Sequence, residues 1–456
     1  MAAIDDAPGH RADRAPWRYR ASDPPRWLGR DNLLGYLLLL ALSVVVVVLT
    51  SSTMTKISVF DEATHIDYAL RAAHWELPRA GETMSQQTLA EWACRGSRHP
   101  AIELPACGSA PFRPQDFPVA GLQYNYGHPP LYYLITGTVT RAVVAVTDLG
   151  FVTVARSLGA LWLAAGLVVL FQVLQRAGLP RTYALAATAG LAVTPSVAEF
   201  SSIVSNDAAA VLCGSLVALV TVEVVLGRAR WPLVAVTAIA ITLTKVIFVV
   251  ALIGAGLAWL IVAGLRRDHG AWRLRALTLV MAACAVVTDL AWTWFQSGRG
   301  MAGYRSPVLG INSEPAASFP FGPTIGQLFA TWPPTPETLS QALDSPALAF
   351  WQAAVTLLLA AGPLVVLLSG RPRWAAPFAL GTAAALLLVP VAVQGVAFVT
   401  EGHYFPVIST RYGLVCLPAL LAMLAFGCRI RHRTEAAITT AVVGFLCLTS
   451  SLLLYG

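Results

Sequence analysis

The sequence predicts an all-α polytopic membrane protein, and three observations carry that prediction. Of 456 residues, 56% are hydrophobic and only 12% charged, about half the charged share of an ordinary soluble chain. The mean hydropathy is +0.65. The apolar residues are also not scattered: they gather into long runs, several near the roughly 20 residues that a membrane-spanning helix needs. A soluble fold of this length has too few polar residues to cover so much apolar surface. A cytosolic enzyme, a nucleic-acid binder and a disordered scaffold are therefore excluded. The formal charge of +7 does not restore the nucleic-acid reading, because the basic residues sit in short clusters between apolar runs, as they do in cytoplasmic loops.

Residues 1–32 carry six Arg and no short apolar core with a cleavage site, so they read as a polar cytoplasmic tail rather than a cleaved signal. The first apolar run covers about 33–51. A polar stretch follows from Ser52 to His128. Runs then recur at about 129–147, 152–175, 182–198, 208–227, 231–244, 246–264, 276–296, 347–368, 374–397, 412–427 and 435–455, with a second polar loop over about 297–346. Basic clusters occur in the tail, at Arg176/Arg181 and Arg228/Arg230, from Arg266 to Arg275, at Arg371/Arg373 and from Arg429 to Arg433. Placing all of them in the cytoplasm puts both long loops outside, together with the short segments near Asp207, Lys245 and His403. One apolar run too many then separates the first external loop from the Arg176 cluster. The 129–147 run opens on HPPLYY and carries Arg141, so it is expected to lie at the interface or re-enter. The expectation is about 11 transmembrane helices (10–12), N-terminus in and C-terminus out, with two large external loops.

Five of the seven cysteines, Cys213, Cys284, Cys416, Cys428 and Cys447, lie in or at the ends of apolar runs, where a thiol is a small core residue. Cys94 and Cys107 share the first external loop. On the oxidising side of a membrane they are expected to form a disulfide. The chain has no CxxC pair, so a zinc ribbon is not expected.

Five polar features stand where apolar runs end. Just after the first run comes Phe60-Asp61-Glu62-Ala63-Thr64-His65. Asp61 and His65, four apart, share a helix face. A carboxylate at the membrane border can have its pKa tuned for base work or bind a divalent cation; it can also cap a helix. The second feature is Tyr124-Asn125-Tyr126-Gly127-His128-Pro129-Pro130-Leu131-Tyr132-Tyr133. Its prolines suit the first turn of a helix, and its aromatics also fit an ordinary interfacial belt. The third is Ser205-Asn206-Asp207, an acid in a short external loop or a helix cap. The fourth is Thr244-Lys245, a lone Lys that would bind an anionic headgroup or snorkel to the interface. The fifth is Glu401-Gly402-His403-Tyr404, followed by Arg411-Tyr412.

Together these five features resemble the GT-C glycosyltransferases, in particular the protein O-mannosyltransferases and the lipid A aminoarabinose transferases. The resemblance is clearest over about 33–265. It implies a GT-C-like bundle and an inverting glycosyltransferase. Such an enzyme would move a sugar from a polyprenyl-phosphate carrier to a hydroxyl of an envelope glycan, lipid or protein, on the outer face of the plasma membrane. It implies a catalytic transmembrane module over 33–296, including external loop 52–128, then external loop 297–346 and C-terminal helices over 347–456. With eleven helices, the 297–346 loop follows the seventh, where the family carries a large loop. Residue by residue, Asp61 matches the acid taken as general base, Glu62 its usual neighbour and Asp207 the second acid. Lys245 and Arg411 match basic positions for the donor phosphate. His128 stands where the aminoarabinose branch often has Lys before PPLYY, and is carried over as a phosphate contact. His65, Tyr132 and His403 are candidate substrate contacts. A divalent cation, if one is used, would sit on Asp61 and Asp207. No Gly-rich phosphate loop is present, so a nucleotide donor is not expected. The rival reading is a transporter or lipid-linked sugar flippase without glycosyl transfer, which would place ionisable residues deep in the bundle.

Overall fold

The computed structural model describes residues 30–266, 269–301, 304, 313–332, 345–369, 375–428 and 433–455. The basic tail over 1–29, parts of the 297–346 loop and the basic turns around 371–373 and 429–432 lie outside those residues. The protein is an all-α polytopic bundle. Among the described residues nine helices are long and apolar enough to cross a membrane. Helices are what such sequences must form, since within lipid each backbone N–H and C=O needs an internal partner.

The first span is α1 (Arg30–Thr53). Three short helices of the next polar segment and its border follow: α2 (Glu62–Ala72), α3 (Gln86–Arg95) and α4 (Leu131–Val144). The 129–147 run is thus a 14-residue helix, about 21 Å long at 1.5 Å per residue and shorter than a hydrocarbon core of about 30 Å. The second long span is built from α5 (Phe151–Ser157) and α6 (Gly159–Arg176). The 182–198 run is not one helix. Pro195 cannot extend the helix before it, so α7 (Arg181–Ala192) ends and α8 (Pro195–Ser201) starts with that proline in its first turn. Next come α9 (Ala210–Val225), the short α10 (Trp231–Thr244), α11 (Val249–Leu265) and α12 (His269–Ser297). The C-terminal part holds α13 (Phe321–Gly326), α14 (Pro346–Ser369), α15 (Ala376–Glu401), α16 (Leu417–Gly427) and α17 (Arg433–Tyr455).

The 52–128 segment is a folded unit rather than a bare loop. Asp67 on α2 accepts from the Ser85 backbone N–H at 2.7 Å, the Thr88 hydroxyl at 3.1 Å, Gln123 Nε2 at 3.1 Å and Arg71 Nε at 2.7 Å. Ser85 caps α3. Cys94 at the end of α3 is joined to Cys107 in a disulfide. The second polar segment is tied to the bundle by a two-residue antiparallel ladder, β1 (Glu314–Pro315) with β2 (His403–Tyr404).

Two close backbone approaches seat the helices that carry the polar features. A Cβ at Gly137 on α4 would collide with the Ala69 carbonyl of α2, and one at Gly214 on α9 would collide with the Val415 carbonyl. Glycine at both positions lets the elements touch backbone to backbone. Arg141, the charge inside the 129–147 run, donates to the Ala73 carbonyl at 2.9 Å and ties α4 to the end of α2.

Candidate functional site

Asp61 sits at the N-cap of α2 with φ 60° and ψ 13°. A left-handed backbone is uncommon for a residue with a Cβ, though Asp tolerates it better than most. Its side chain caps nothing, so the capping alternative does not hold. Instead Asp61 Oδ2 accepts from Arg411 Nη2 at 2.8 Å and Oδ1 from the Tyr124 hydroxyl at 3.0 Å. The local fold explains the geometry: the Thr64 hydroxyl donates to the Asp61 carbonyl at 2.7 Å, closing the first turn without the carboxylate.

Asp207 comes from a different part of the chain. It lies in a 3₁₀ turn, Asn206–Ala209, whose N-cap Ser205 accepts from the Asp207 backbone N–H. The Asp207 side chain is fully buried and pairs with Lys245 Nζ at 2.5 Å, with Arg411 Nε at 3.7 Å. Lys245, the C-cap of α10, lies under the rings of Phe248 and Tyr412 at 5.7 and 5.8 Å. Arg411 lies in the 3₁₀ segment Thr410–Cys416 that leads into α16. Its guanidinium is 5.3 Å from the Phe60 ring and 5.9 Å from the Tyr412 ring. Asp61, Asp207, Lys245 and Arg411, spread over 350 residues of sequence, therefore form one cluster of two acids and two bases.

An imidazole layer adjoins it. His65 Nδ1 is 2.7 Å from the Tyr133 hydroxyl, and the His65 ring stacks on His128 at 5.7 Å. Asn125 Nδ2 donates to the Thr64 hydroxyl at 2.7 Å and stands 3.4 Å from His65 Nε2. Burial, the neighbouring His128 and the two nearby cations hold His65 well below the usual histidine range, although Asp61 pulls the other way. Burial and Lys245 push His128 down to about 4. Both rings are neutral near pH 7, so they offer hydrogen bonds rather than positive charge. Burial would raise the Asp61 pKa, but the Arg411 guanidinium, His65 and the Tyr124 hydroxyl together outweigh it and hold the carboxyl below its ordinary value. Burial and the Asp61 charge raise the Tyr124 hydroxyl well above the usual phenol range.

Three expected site residues have other roles. Glu62, expected among the catalytic carboxylates, is fully buried and its oxygens are occupied. They accept from Arg156 Nε at 2.8 Å and Nη2 at 2.7 Å, and from the backbone N–H groups of Ser58 at 2.7 Å and Val204 at 3.0 Å. Arg156 in turn donates to the Met54 and Lys56 carbonyls. Glu62 is a clasp between the end of α1, α2, α5 and the turn before Asp207. Tyr132 is 1% exposed and packs against Tyr133 and Trp162, which leaves no face for a substrate. The His403 ring bonds the Ser313 hydroxyl at 3.0 Å beside the β1–β2 ladder rather than a member of the acid–base cluster.

Sequence reasoning missed Arg156, Tyr124 and Phe60 as neighbours of the acids. Arg156 carried a signal: it is the sole charge in the 152–175 run, and a charge buried there requires a partner. A metal fits poorly. Arg411 and Lys245 already neutralise both carboxylates, and among the described residues no group of three His, Cys, Asp or Glu is placed to hold an ion.

The bundle contains an apolar pocket, open to the outside, lined by Gly214, Ala218, Gly254, Ala385, Cys416 and Ala419 among others. Cys416 ends the same short segment that begins one residue before Arg411. Of the acids that a transport reading would enlist, Glu223 on α9 pairs with Arg176 at the end of α6, Glu199 on α8 is fully buried and Asp289 lies on α12.

No protein-family model and no curated protein sequence matches the chain. Among solved structures it is similar to the crystal structure of ArnT from Cupriavidus metallidurans bound to undecaprenyl phosphate, at 15% identity and a TM-score of 0.45. The match covers 89% of this chain and 62% of that one, so the chain spans less than two thirds of that protein's length.

Proposed function

We propose that the protein is an inverting glycosyltransferase of the membrane. Its donor is a sugar on a polyprenyl phosphate, and its acceptor a hydroxyl of an envelope glycan, lipid or protein at the outer face of the plasma membrane. The observation that carries this is the convergence of Asp61, Asp207, Lys245 and Arg411. The motif resemblance to GT-C enzymes points the same way.

Each group has a task. Asp61 is 28% exposed and ionised at neutral pH. It takes the acceptor proton as the acceptor oxygen bonds to the anomeric carbon. The bond from that carbon to the phosphate oxygen breaks, and its electron pair stays on the phosphate. Lys245 and Arg411 stabilise the charge that develops there. Asp207 holds the two cations in place. The Tyr124 hydroxyl keeps the Asp61 carboxylate turned toward the site. One base suffices for a single displacement, and no enzyme nucleophile takes part.

The test is reconstitution. The purified protein in lipid nanodiscs, given candidate polyprenyl-phosphate sugars and an envelope extract, should release free polyprenyl phosphate. Release should be absent in Arg411→Gln. Donor that stays intact in all combinations, while the protein moves lipid-linked sugar between leaflets, would favour the flippase reading instead.

A further inference from the structure

Arg411 is asked to do two things at once. Its Nη2 is bonded to the proposed base, Asp61, at 2.8 Å, yet the proposed chemistry also needs its charge on the donor phosphate. Lys245 is also paired with a carboxylate, but that partner is Asp207 and not the proposed base: the pair stands at 2.5 Å, with Lys245 5% exposed against a fully buried acid. Arg411 touches Asp207 only at 3.7 Å. We propose that Arg411 is an exchangeable counter-ion, shared between Asp61 and the donor phosphate. Phosphate binding draws it off Asp61, and the base is released from its counter-ion only when the donor is present. This deepens the glycosyl-transfer reading and rests on it.

The charges support the exchange. Two carboxylates and two cations leave the cluster neutral without ligand. A donor phosphodiester adds one negative charge at a site partly shielded from water. The groups that face Asp61 are Arg411 from the Thr410–Cys416 segment, His65 from α2 and Tyr124 from the 3₁₀ turn Tyr124–Gly127, with Lys245, Asp207 and His128 behind them. The two histidines and the tyrosine are uncharged, so of the groups that face Asp61 Arg411 alone can leave and change the charge beside it. Once the guanidinium turns to the phosphate, Asp61 stands beside two anions with one hydrogen bond left, and its affinity for a proton rises. The transfer step then keeps the site's charge constant. The phosphate gains one negative charge as the sugar leaves, and Asp61 loses one as it takes the acceptor proton. The flat faces of Phe60 and Tyr412, 5.3 and 5.9 Å from the guanidinium, give Arg411 a surface to pivot on without leaving an aromatic contact. Without donor, Asp61 stays masked, and the site has no free base to activate water.

The experiment measures binding of farnesyl phosphate to the full-length protein in nanodiscs, for wild type, Asp61→Asn and Arg411→Gln. If Asp61 competes with phosphate for Arg411, Asp61→Asn binds more tightly than wild type, by about tenfold, and Arg411→Gln more weakly. Equal or weaker binding by Asp61→Asn, with wild type binding measurably, overturns the exchange and leaves the glycosyl-transfer reading standing. No binding by wild type, or Arg411→Gln binding as well as wild type, overturns both. A structure of wild type with farnesyl phosphate bound tests the same point without a variant. Arg411 beyond salt-bridge reach of Asp61 and bonded to the phosphate is the expected result; Arg411 still on Asp61 overturns the exchange.

Discussion

Glu62 accepts a hydrogen bond from the backbone N–H of Val204 at 3.0 Å. Asp61 is the residue before Glu62, and Asp207 lies three residues beyond Val204. The bond therefore sets the spacing of the two carboxylates through their immediate neighbours. With Arg156 gripping the same carboxylate and two carbonyls at the end of α1, four pieces of chain are held at the base of the site. Of two adjacent acids, one faces the site and the other builds it.

That division predicts unlike variants. Glu62→Gln leaves Arg156 as an unpaired buried charge, a change that typically costs about 3–5 kcal/mol. Thermal unfolding in detergent should show a large drop in melting temperature, and Glu62→Gln/Arg156→Met should recover part of it. Wild-type melting with abolished transfer in Glu62→Gln would return that residue to the chemistry.

Asp61→Asn should do the reverse. The amide keeps the shape: its one oxygen can still accept from Arg411, and the Tyr124 hydroxyl can rotate to accept from the amide N–H, so melting stays closer to wild type than in Glu62→Gln. Loss of a general base costs about 10²–10⁴ in rate. Turnover per folded molecule, measured as release of polyprenyl phosphate, checks it. Near-normal turnover would remove Asp61 from the base role.

The imidazole layer predicts a pH dependence of stability. His128 titrates at about 4 in the folded protein and at about 6.5 unfolded; His65 is also held down. Above about pH 6.5 both states are neutral and nothing changes. As the pH falls from about 6.5 to 4, only the unfolded chain takes up these protons, so stability should decline across that window. Asp61, depressed from the ordinary carboxylate range, adds a further loss at the acid end. Melting curves of wild type and His128→Gln check the first part: the variant should lose less stability between pH 7 and 5.

The Cys94–Cys107 disulfide closes a short loop, worth roughly 2–3 kcal/mol in the chain-entropy model. Mass spectrometry of unreduced peptides should find the linked pair. Reductant should lower the melting temperature of the wild type but not of Cys94→Ser/Cys107→Ser. Both thiols alkylated without reduction would contradict the pairing and the external placement of the segment.

What the sequence revealed follows from where charge is expensive. Asp61, Asp207, Lys245 and Arg411 each stand at the border of an apolar run, so each was visible as a polar residue, although a helix cap or an interfacial charge also explained Asp61, Asp207 and Lys245. Their convergence was not visible, because it depends on how α9, α10 and the Thr410–Cys416 segment pack. Glu62 was misplaced because adjacency in sequence says nothing about which way a side chain leaves a helix start; the left-handed Asp61 decides that. Tyr132 read as an interfacial aromatic, yet α4 turns it into the core. The 182–198 run looked continuous because hydropathy does not register Pro195, whereas helix geometry does. The nine long spans among the described residues each match an apolar run, because length and composition alone suffice; the expected count of about eleven also took in the 182–198 and 231–244 runs, whose helices are shorter.

Arg411 follows Asp61 by 350 residues, and a ribosome adding about 5–20 residues per second needs roughly 20–70 s to cover that distance. In the last part of that interval, once Lys245 has been made, the nascent chain holds two acids against the single cation of Lys245. The site is completed only when the penultimate span of the bundle arrives. A chain released early carries the base and the second acid but lacks the counter-ion that the donor must displace. Truncated products should therefore be inert, and the order of synthesis itself keeps the chemistry off until the bundle is nearly whole.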